Sequence, residues 1–194
     1  MILTKDDLKE YLEKDKFALG IEDRKHPKAF RDFIWKFEIT LRKHEYYFNN
    51  KNKSVFYKIA EKVYSLKHQN IGVKLGFDIP VNVFGPGLRI NHWGYIVVNA
   101  NAKIGAWCDI HQGVNIGQNI EQGAPEIGQD VWICPGAKIF GNIKIADGVA
   151  IGANAVVNKT VLQHDVTIAG IPAKIVKNSG NPWKRSEIWK SDLN

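Results

Sequence analysis

Aliphatic residues recur at every sixth position through the second half of the chain. Two runs keep this interval, one from Val98 to Ile116 and one from Ile127 to Val157. A period of six is neither the roughly 3.6-residue repeat of an α-helix nor the two-residue alternation of an ordinary strand. It is typical of a parallel β-helix built from hexapeptides, in which three hexads close one triangular coil. The pattern predicts about four or five coils with the leading side chain of each hexad in a stacked core. The leading residues are Val98, Ile104, Ile110, Ile116, Ile127, Ile133, Ile139, Ile145, Ile151 and Val157.

Glycines follow several of the leading residues, and we expect them to mark tight turns. They are Gly105, Gly117, Gly128 and Gly152. Five extra residues interrupt the six-residue period once, between Gly117 and Glu126. A regular solenoid has no structural need for such an insertion, and loops on rigid scaffolds often carry function. The alternative is an insertion that the fold merely tolerates.

Residues 1–70 show helical spacing instead. The sequence Thr4-Lys-Asp-Asp7 is typical of a capping box at a helix start, and Ser54 is a second candidate cap. Apolar and aromatic residues then recur every third or fourth position, and we expect these stripes to be packing surfaces. The stripes contain Leu8, Tyr11 and Leu12; Phe30, Phe33, Ile34, Phe37 and Leu41; and Phe56, Ile59, Ala60 and Val63.

These patterns divide the chain into three parts. The sequence predicts a helical region over residues 1–70, a β-helix domain over residues 71–177 and a tail over residues 178–194. Terminal coils of a solenoid need a cover. Trp183, Ile188 and Trp189 of the tail are candidates to cover the open end of the last coil.

The net charge of +7 is concentrated in the helical region, because residues 1–70 contribute +5 and residues 71–177 only +1. This charge is either a solvated helical face or a surface drawn to phosphates, such as a lipid-linked sugar or an anionic membrane face. The second interpretation would bring the N-terminal region close to a membrane. No recognised binding motif accompanies the charge, so we expect no nucleic-acid partner.

The N-terminus lacks the apolar segment of a signal peptide, and no apolar run approaches the length of a membrane span. We therefore expect a cytoplasmic protein. Cys108 and Cys134 are too few for a disulfide framework, and we expect both to be reduced.

Five stretches of this sequence resemble the hexapeptide-repeat acyltransferases, and in particular their serine acetyltransferase branch. They are Asp78-Ile-Pro80, Asn91 to Val98, Ile133 to Ile143, Ile151 to Val157 and Ala169 to Val176. The resemblance implies a left-handed parallel β-helix, an exception to the right-handed crossover rule. It also implies acetyl-CoA as the acetyl donor and a homotrimer with active sites between neighbouring prisms. The N-terminal half is more similar to acetyltransferases from capsule, exopolysaccharide and lipopolysaccharide gene clusters, through Lys43 to Phe48 and Lys74 to Leu88.

Acetyl transfer from a thioester to a hydroxyl needs a base for the hydroxyl proton, a donor for the oxyanion and a slot for the thioester. The resemblance implies that His92 is the general base and that Asp78 is the carboxylate that orients it. A histidine suits this work because its ordinary pKa of about 6.5 lies near neutrality. No acyl-enzyme is required.

The acceptor is expected beside this base. The candidate acceptor-binding residues are Asn91, Trp93, His111 and Gln112. Asn91 stands where serine acetyltransferases carry an aspartate, and Trp93 could form an apolar wall or stack on a sugar. His111 could bind the acceptor or assist the oxyanion, and a purely structural role is an equal alternative.

Coenzyme A is expected on the later coils. The resemblance implies that Pro135, Gly136 and Ala153 contact the pantetheine arm, because small residues let it lie against the coil. Lys159 and Lys174 are candidate phosphate partners by charge, with simple solvation as the alternative.

The chain departs from serine acetyltransferases in the inserted loop, where it has Gly123-Ala124 in place of their Arg-His pair. Their Asp-Pro-Ala segment in the helical region is also not found. Losing the arginine removes the obvious clamp for the carboxylate of serine. We therefore expect an acetyl-CoA-dependent O-acetyltransferase that acts on a sugar hydroxyl of a surface polysaccharide or its precursor, with serine as the alternative acceptor.

Two other classes compete with acetyl transfer on this scaffold. A zinc enzyme of the carbonic anhydrase type needs three histidines around one metal. Only His92 and His111 lie in the repeat region proper, so we expect no metal. A non-catalytic structural β-helix is the other alternative, and the presence of His92 and Asp78 argues against it.

Overall fold

The chain forms three helices, then a series of short strands and a final helix, in a computed structural model that describes residues 1–120 and 123–192. The first helices are α1 (Lys5–Ala18), α2 (Phe33–Asn50) and α3 (Val55–Leu75). The strands are β1 (Phe77–Asp78), β2 (Arg89–Ile90), β3 (Ile96–Val98), β4 (Lys103–Ile104), β5 (Asp109–Ile110), β6 (Asn115–Gly117), β7 (Glu126–Ile127), β8 (Trp132–Ile133), β9 (Lys138–Phe140), β10 (Lys144–Ile145), β11 (Ala150–Ile151), β12 (Val156–Val157), β13 (Thr167–Gly170) and β14 (Ala173–Lys177). Helix α4 spans Arg185–Asp192.

The strands build three faces of a triangular solenoid. The first sheet has the order β1-β3-β6-β9-β12, and the second has β4-β7-β10, extended by single bridges at Phe84 and Val161. The third sheet has the order β2-β5-β8-β11-β13, with β14 antiparallel on its edge. Five stacked strands in the first sheet correspond to five coils, which confirms the predicted parallel β-helix. The architecture is consistent with the left-handed hexapeptide form.

The hexad pattern sets the register between coils. Equivalent leading residues pair across neighbouring strands, as in Ile110 with Ile133 and Ile116 with Ile139. All the leading residues are buried, as predicted. Each buried isoleucine stabilises the fold by roughly 1.5 to 3 kcal/mol. Cys108 is buried, Cys134 is half-buried, and neither forms a disulfide.

The glycines after the leading residues have a different role from the one predicted. Gly105 does not have a positive φ; a Cβ atom there would lie 2.6 Å from the backbone nitrogen of Gln129 in the next coil. These glycines therefore permit close stacking of coils. The left-handed turns fall elsewhere, for example at Gly113 with φ 79° and Gly136 with φ 76°.

Helices α1 and α2 are fastened to the first coil by the buried guanidinium of Arg42. It forms ion pairs with Asp15 of α1 (2.7 Å) and Glu45 of α2 (3.0 Å), and it donates to the carbonyl oxygens of Phe84 (2.9 Å) and Gly85 (2.7 Å). The Asp15 carboxylate also accepts from two backbone N–H groups of the first coil. The charge is thus buried with all its partners in place, which is the condition under which a buried ion pair is tolerated.

Both predicted helix caps are present. The Thr4 hydroxyl accepts from the Asp7 backbone at 3.0 Å, and the Asp7 carboxylate accepts from the Thr4 backbone at 2.8 Å. Ser54 accepts from the backbone of Tyr57. Helix α3 continues past the predicted boundary at residue 70, because Ile71 and Leu75 extend its packed face, and it ends where Gly76 takes a φ of 78°.

The predicted packing stripe of α3 is wrong. Phe56, Ile59 and Val63 are exposed, and Phe30 and Phe33 near the start of α2 are exposed as well. The contacts of α3 with α2 use its other face, where Tyr57 and Tyr64 meet aromatic rings of α2 and His68 meets His44. Hydropathy does not mark tyrosine and histidine as strongly apolar, so the pattern selected the wrong face.

The predicted role of the tail is also wrong. The tail does not cover the last coil but runs back along the corner between the second and third sheets. Asn181 and Ser186 are buried against Asp130. Trp189 reaches the ring of Phe17 in α1 at 5.0 Å, whereas Trp183 is exposed. Polar partners along that corner, rather than the apolar end of the solenoid, determine the path.

Replacing Arg42 with methionine should lower the free energy of unfolding by about 3 to 5 kcal/mol, because Asp15 and Glu45 lose their buried counter-charge. Chemical denaturation followed by circular dichroism measures the change. Lys43→Met is the matched control, since Lys43 is the neighbouring, half-exposed cation and its contact is a ring at 5.9 Å. Equal losses in the two variants would contradict the role of Arg42.

The His44–His68 pair predicts acid sensitivity of the α2–α3 contact. The Nδ1 atoms lie 3.0 Å apart, and burial together with the charge of His44 lowers the pKa of His68 to about 4. The unfolded chain binds the proton more tightly, so stability is full above about pH 6.5 and falls as the pH drops towards 4. The lowered pKa of His68 alone should reduce the free energy of unfolding by about 2 kcal/mol at about pH 5. The pH dependence of unfolding should weaken in His68→Asn and persist in His26→Asn, a change at an exposed histidine.

Candidate active site

One corner of the solenoid gathers most of the predicted site residues. At the corner between the third and first sheets, four successive coils stack through backbone hydrogen bonds. Gly113 donates to Tyr95 (2.8 Å), Gly136 to Gln112 (3.0 Å) and Asn154 to Pro135 (2.9 Å). We call residues 91–95, 111–113, 134–136 and 152–154 the site corner. It contains the predicted residues Asn91, His92, Trp93, His111, Gln112, Pro135, Gly136 and Ala153.

Small residues let successive coils stack closely at this corner. A Cβ atom at Gly113 would lie 3.2 Å from the Cα of Gly136, and one at Gly136 would overlap the side chain of Asn154. Both positions also need a positive φ, which glycine adopts without strain. Gly113, Gly136 and Ala153 thus form a track of small residues along the edge of the prism that contains His92. A narrow extended group could lie on it.

His92 begins the track in the first coil. It follows β2 directly, it is exposed, and its ring centroid lies 6.2 Å from that of His111. Asp78 lies on β1 beside Val97 and is exposed on the first sheet. Over residues 1–120 and 123–192, no hydrogen bond or ion pair joins Asp78 to His92. The orienting role of Asp78 therefore stays a prediction.

His111 lies between His92 and Trp132. The indole N–H of Trp132 donates to Nε2 of His111 at 3.0 Å, which leaves the imidazole proton on Nδ1 when the ring is neutral. Burial lowers the pKa of His111; the Asp109 carboxylate acts in the opposite direction, while His92 and Arg89 lower it further. His111 is thus a neutral imidazole near neutral pH with one N–H to offer. This state suits a hydrogen-bond donor better than a base.

Beneath the two histidines lies a buried polar cluster that sequence reasoning missed. Asp109 is almost fully buried on β5 and accepts from Arg89 of β2 at 3.0 Å, from Arg185 of α4 at 2.8 Å and from the side-chain amide of Asn91. It also lies 3.7 Å from Nε2 of His111. The cluster therefore holds Asn91 in place and links α4 to the site corner. Its sequence signal is weak: a charged residue just before a leading isoleucine, at a position that the hexad pattern places outside the core.

Gln112 and Tyr95 add polar groups to the corner. The side-chain oxygen of Gln112 is buried and has no hydrogen-bond partner among the residues described. A buried acceptor without a partner is costly, so a donor on a bound ligand would relieve it. Lys138 of β9 donates to the Tyr95 hydroxyl at 3.0 Å and to the carbonyl of Gly113 at 2.5 Å. Trp93 is two-thirds exposed and free to contact a ligand.

A small cavity adjoins Asn91. Its volume is about 200 Å³, and it lies between the helical region and the first coil. Arg24, Asp32 and Arg89 contribute charges of both signs to its wall, and Trp35 contributes an apolar surface. The ion pair between Arg24 and Asp32 lowers the pKa of Asp32. The cavity wall therefore carries two cations, one anion and the amide of Asn91, and both arginines are already paired, Arg24 with Asp32 and Arg89 with Asp109.

The remaining predicted residues lie away from this corner. Lys174 is exposed on β14 at the edge of the third sheet, opposite Ala169. Lys159 follows β12 at the corner between the first and second sheets. The inserted loop leaves the solenoid at that same corner, between β6 and β7, and residues 121–122 of the loop lie outside the described part. Within one chain, the width of the first sheet thus separates the loop and Lys159 from His92.

Among residues 1–120 and 123–192, no three histidine, cysteine, aspartate or glutamate side chains are grouped so that they could hold a metal ion. His92 and His111 are near each other, and the next ring beside His111 is Trp132. The indole N–H already occupies Nε2 of His111. Within the described part of one chain, the corner therefore offers two imidazoles, one of which already accepts a hydrogen bond at Nε2.

Comparison with known proteins gives the same family from three directions. The family model described as bacterial transferase hexapeptide (six repeats) matches residues 124–159. A serine acetyltransferase of Staphylococcus epidermidis is 34% identical over 179 residues, which are 91% of this chain and 78% of that protein. The chain belongs to the hexapeptide-repeat acyltransferase family.

Solved structures of the family agree with this fold. The crystal structure of serine acetyltransferase from Brucella abortus strain S19 has a TM-score of 0.70 and 27% identity, covering 91% of this chain and 72% of that one. A serine acetyltransferase in complex with CoA has a TM-score of 0.66 and 25% identity, covering 89% of this chain and 71% of that one. The match spans 40% to 51% of the length of several other serine acetyltransferases. The predicted closeness to capsule and lipopolysaccharide acetyltransferases is not among these findings.

Replacing Trp132 with phenylalanine should raise the pKa of His111, because the indole N–H favours the neutral imidazole. The loss of one partly buried hydrogen bond should also cost about 1 kcal/mol of stability. Titration of the histidine ring carbons by NMR measures the pKa directly. Trp183→Phe is the matched control, since Trp183 is exposed in the tail. An unchanged His111 titration in Trp132→Phe would show that the indole does not set its protonation state.

Proposed function

We propose that this family member transfers the acetyl group of acetyl-CoA directly to the hydroxyl of serine, with His92 as the general base. The observation that carries the proposal is the exposed histidine on the same corner as the track of small residues. The names of its relatives support serine as the acceptor. The cavity beside Asn91 supports it as well, because charges of both signs suit a small zwitterion.

The proposed reaction is a direct transfer. One C–O bond forms, one C–S bond breaks, and no acyl-enzyme is formed. His92 takes the proton of the acceptor hydroxyl as the oxygen attacks the thioester carbonyl. The C–S bond then breaks, and the imidazolium returns the proton to the CoA sulfur. Asp78 would favour the imidazolium, as the carboxylate does in an Asp–His pair. The Nδ1–H of His111 would donate to the oxyanion or to the acceptor.

The track at the site corner is the proposed bed for the pantetheine arm. Pro135, Gly136 and Ala153 would let the arm approach the backbone closely. The unpartnered oxygen of Gln112 would accept from an amide N–H of the arm or from the acceptor. Lys174 is the proposed partner for the phosphates at the upper end of the third sheet.

The proposed assembly is a homotrimer, and the separation of the functional parts supports it. His92 lies at one corner of the prism, whereas the inserted loop and Lys159 lie at another. Neighbouring prisms around a three-fold axis would bring unlike corners together and complete the cleft. Light scattering coupled to gel filtration would measure this assembly.

A sugar hydroxyl is a second candidate acceptor, and one observation favours it. A Cβ atom at Gly123 would lie 2.5 Å from the Cβ of Asn142, so this loop position cannot hold a long side chain without moving. The loop therefore offers no cation there to clamp the carboxylate of an amino acid. Any clamp for serine must come from another residue, and Arg24 and Arg89 are the arginines in the cavity wall.

Replacing His92 with alanine should lower turnover by about 10²- to 10⁴-fold, the usual contribution of a general base. Release of the CoA thiol with acetyl-CoA and serine measures turnover, and gel filtration checks that the assembly survives. His164→Ala is the matched control, since His164 is exposed on the corner between the second and third sheets. Normal turnover in His92→Ala would refute the base assignment.

The same assay separates the two acceptors. Serine should release CoA faster than hexoses or N-acetylhexosamines at equal concentration. Arg89→Met should then raise the KM for serine more than that for acetyl-CoA, because a carboxylate would lose its cation. Release with sugars alone would move the acceptor assignment to a sugar hydroxyl while leaving acetyl transfer by His92 intact.

A further inference from the structure

Helix α3 has a second apolar face that the fold leaves uncovered. Its inner face, with Tyr64 and His68, packs on α2. On the opposite side, five apolar side chains recur every three or four residues, apart from one skipped position, and are 43% to 81% exposed. They are Phe56, Ile59, Val63, Leu66 and Val73, and the position skipped between the last two is Asn70. We call these residues the α3 stripe.

Lysines flank the α3 stripe on both sides, and no acid accompanies them. The exposed cations of the helix are Lys58, Lys62, Lys67 and Lys74. The single acid of α3, Glu61, is turned towards His44 on the inner side, at 3.7 Å from its Nε2. An apolar stripe bordered only by cations is the pattern of a helix that lies in the interface of an anionic bilayer.

A second copy of this chain is a poor occupant of the stripe. Two α3 helices packed stripe to stripe would bring eight lysines together with no exposed acid to neutralise them. Like charges at such close range oppose association. An occupant that brings negative charge and apolar depth at once fits better.

We propose that the α3 stripe docks this protein on the surface of anionic phospholipid membranes. The apolar side chains enter the boundary between headgroups and acyl chains, while the lysines meet the phosphates. The helix lies on the membrane and does not cross it; none of the helices described is long and apolar enough to span a bilayer.

Docking through α3 would also fix the position of the site corner. The helix ends at Leu75, whose carbonyl oxygen accepts from the backbone of Gly94 at 3.0 Å. Gly94 lies two residues after His92. The base would therefore be held near the membrane surface, at the end of the docked helix. This proposal does not depend on which hydroxyl is acetylated.

Co-sedimentation of the intact protein with phosphatidylcholine vesicles, with and without phosphatidylglycerol, tests the proposal. We expect binding only to vesicles that contain phosphatidylglycerol, weakened by added salt. Ile59→Ser combined with Leu66→Ser should weaken binding at least about tenfold by removing apolar contacts. Lys62→Gln combined with Lys67→Gln should weaken it by a similar factor of about ten or more. These side chains are exposed, so the circular dichroism spectrum should not change.

Lys5→Gln combined with Lys9→Gln is the matched control. It removes the same charge from α1, a separate helix that packs on α2 as α3 does. Binding should stay near that of the unaltered protein. Absence of binding to anionic vesicles, or equal loss in both lysine pairs, would overturn the proposal. A lipid-free assembly that becomes smaller in the Ile59→Ser, Leu66→Ser protein would assign the stripe to a second copy instead.

Discussion

Every coil of this solenoid depends on its neighbours to cover its core, and the first coil has no neighbour below it. The buried guanidinium of Arg42 solves this problem, because it joins α1, α2 and the first coil at one point. Phe37 and Leu41 on the same helix then close the apolar core from beneath. The helical region is therefore the base of the solenoid rather than an independent appendage. This matters for function, since His92 lies at the end of that first coil.

The polar cluster around Asp109 connects the first coil and α4 to the residues of the site corner. This carboxylate holds Asn91 and two arginines from separate elements and lies under His111, whose own state Trp132 sets. Buried polar groups that are fully satisfied specify a single arrangement. The site corner is thus held by the ion pairs and hydrogen bonds of Asp109 beneath it and by the backbone hydrogen bonds between successive coils. Catalysis by positioning requires such support, because small displacements of a base are costly.

The sequence predicted the features that follow from the six-residue repeat. It failed where two arrangements fit the same pattern of apolar residues. The leading aliphatic residues predicted the number of coils and the residues of the core. The apolar stripe of α3 was assigned to packing, because spacing cannot tell a buried stripe from an exposed one when the opposite face is aromatic. The path of the tail was missed since it depends on hydrogen bonds to Asp130, and polar partners carry no periodic signal. The Asp109 cluster was missed for the same reason.

The two ends of the chain meet. Trp189 of α4 packs against Phe17 of α1 and lies 5.8 Å from Trp107 of the second coil. Solenoids ordinarily fray from their termini, because each terminal coil has only one neighbouring coil and can unfold while the other coils stay folded. Release of α4 must therefore break ring contacts with both α1 and the second coil. These contacts couple the tail to the helical region at the opposite end of the stack.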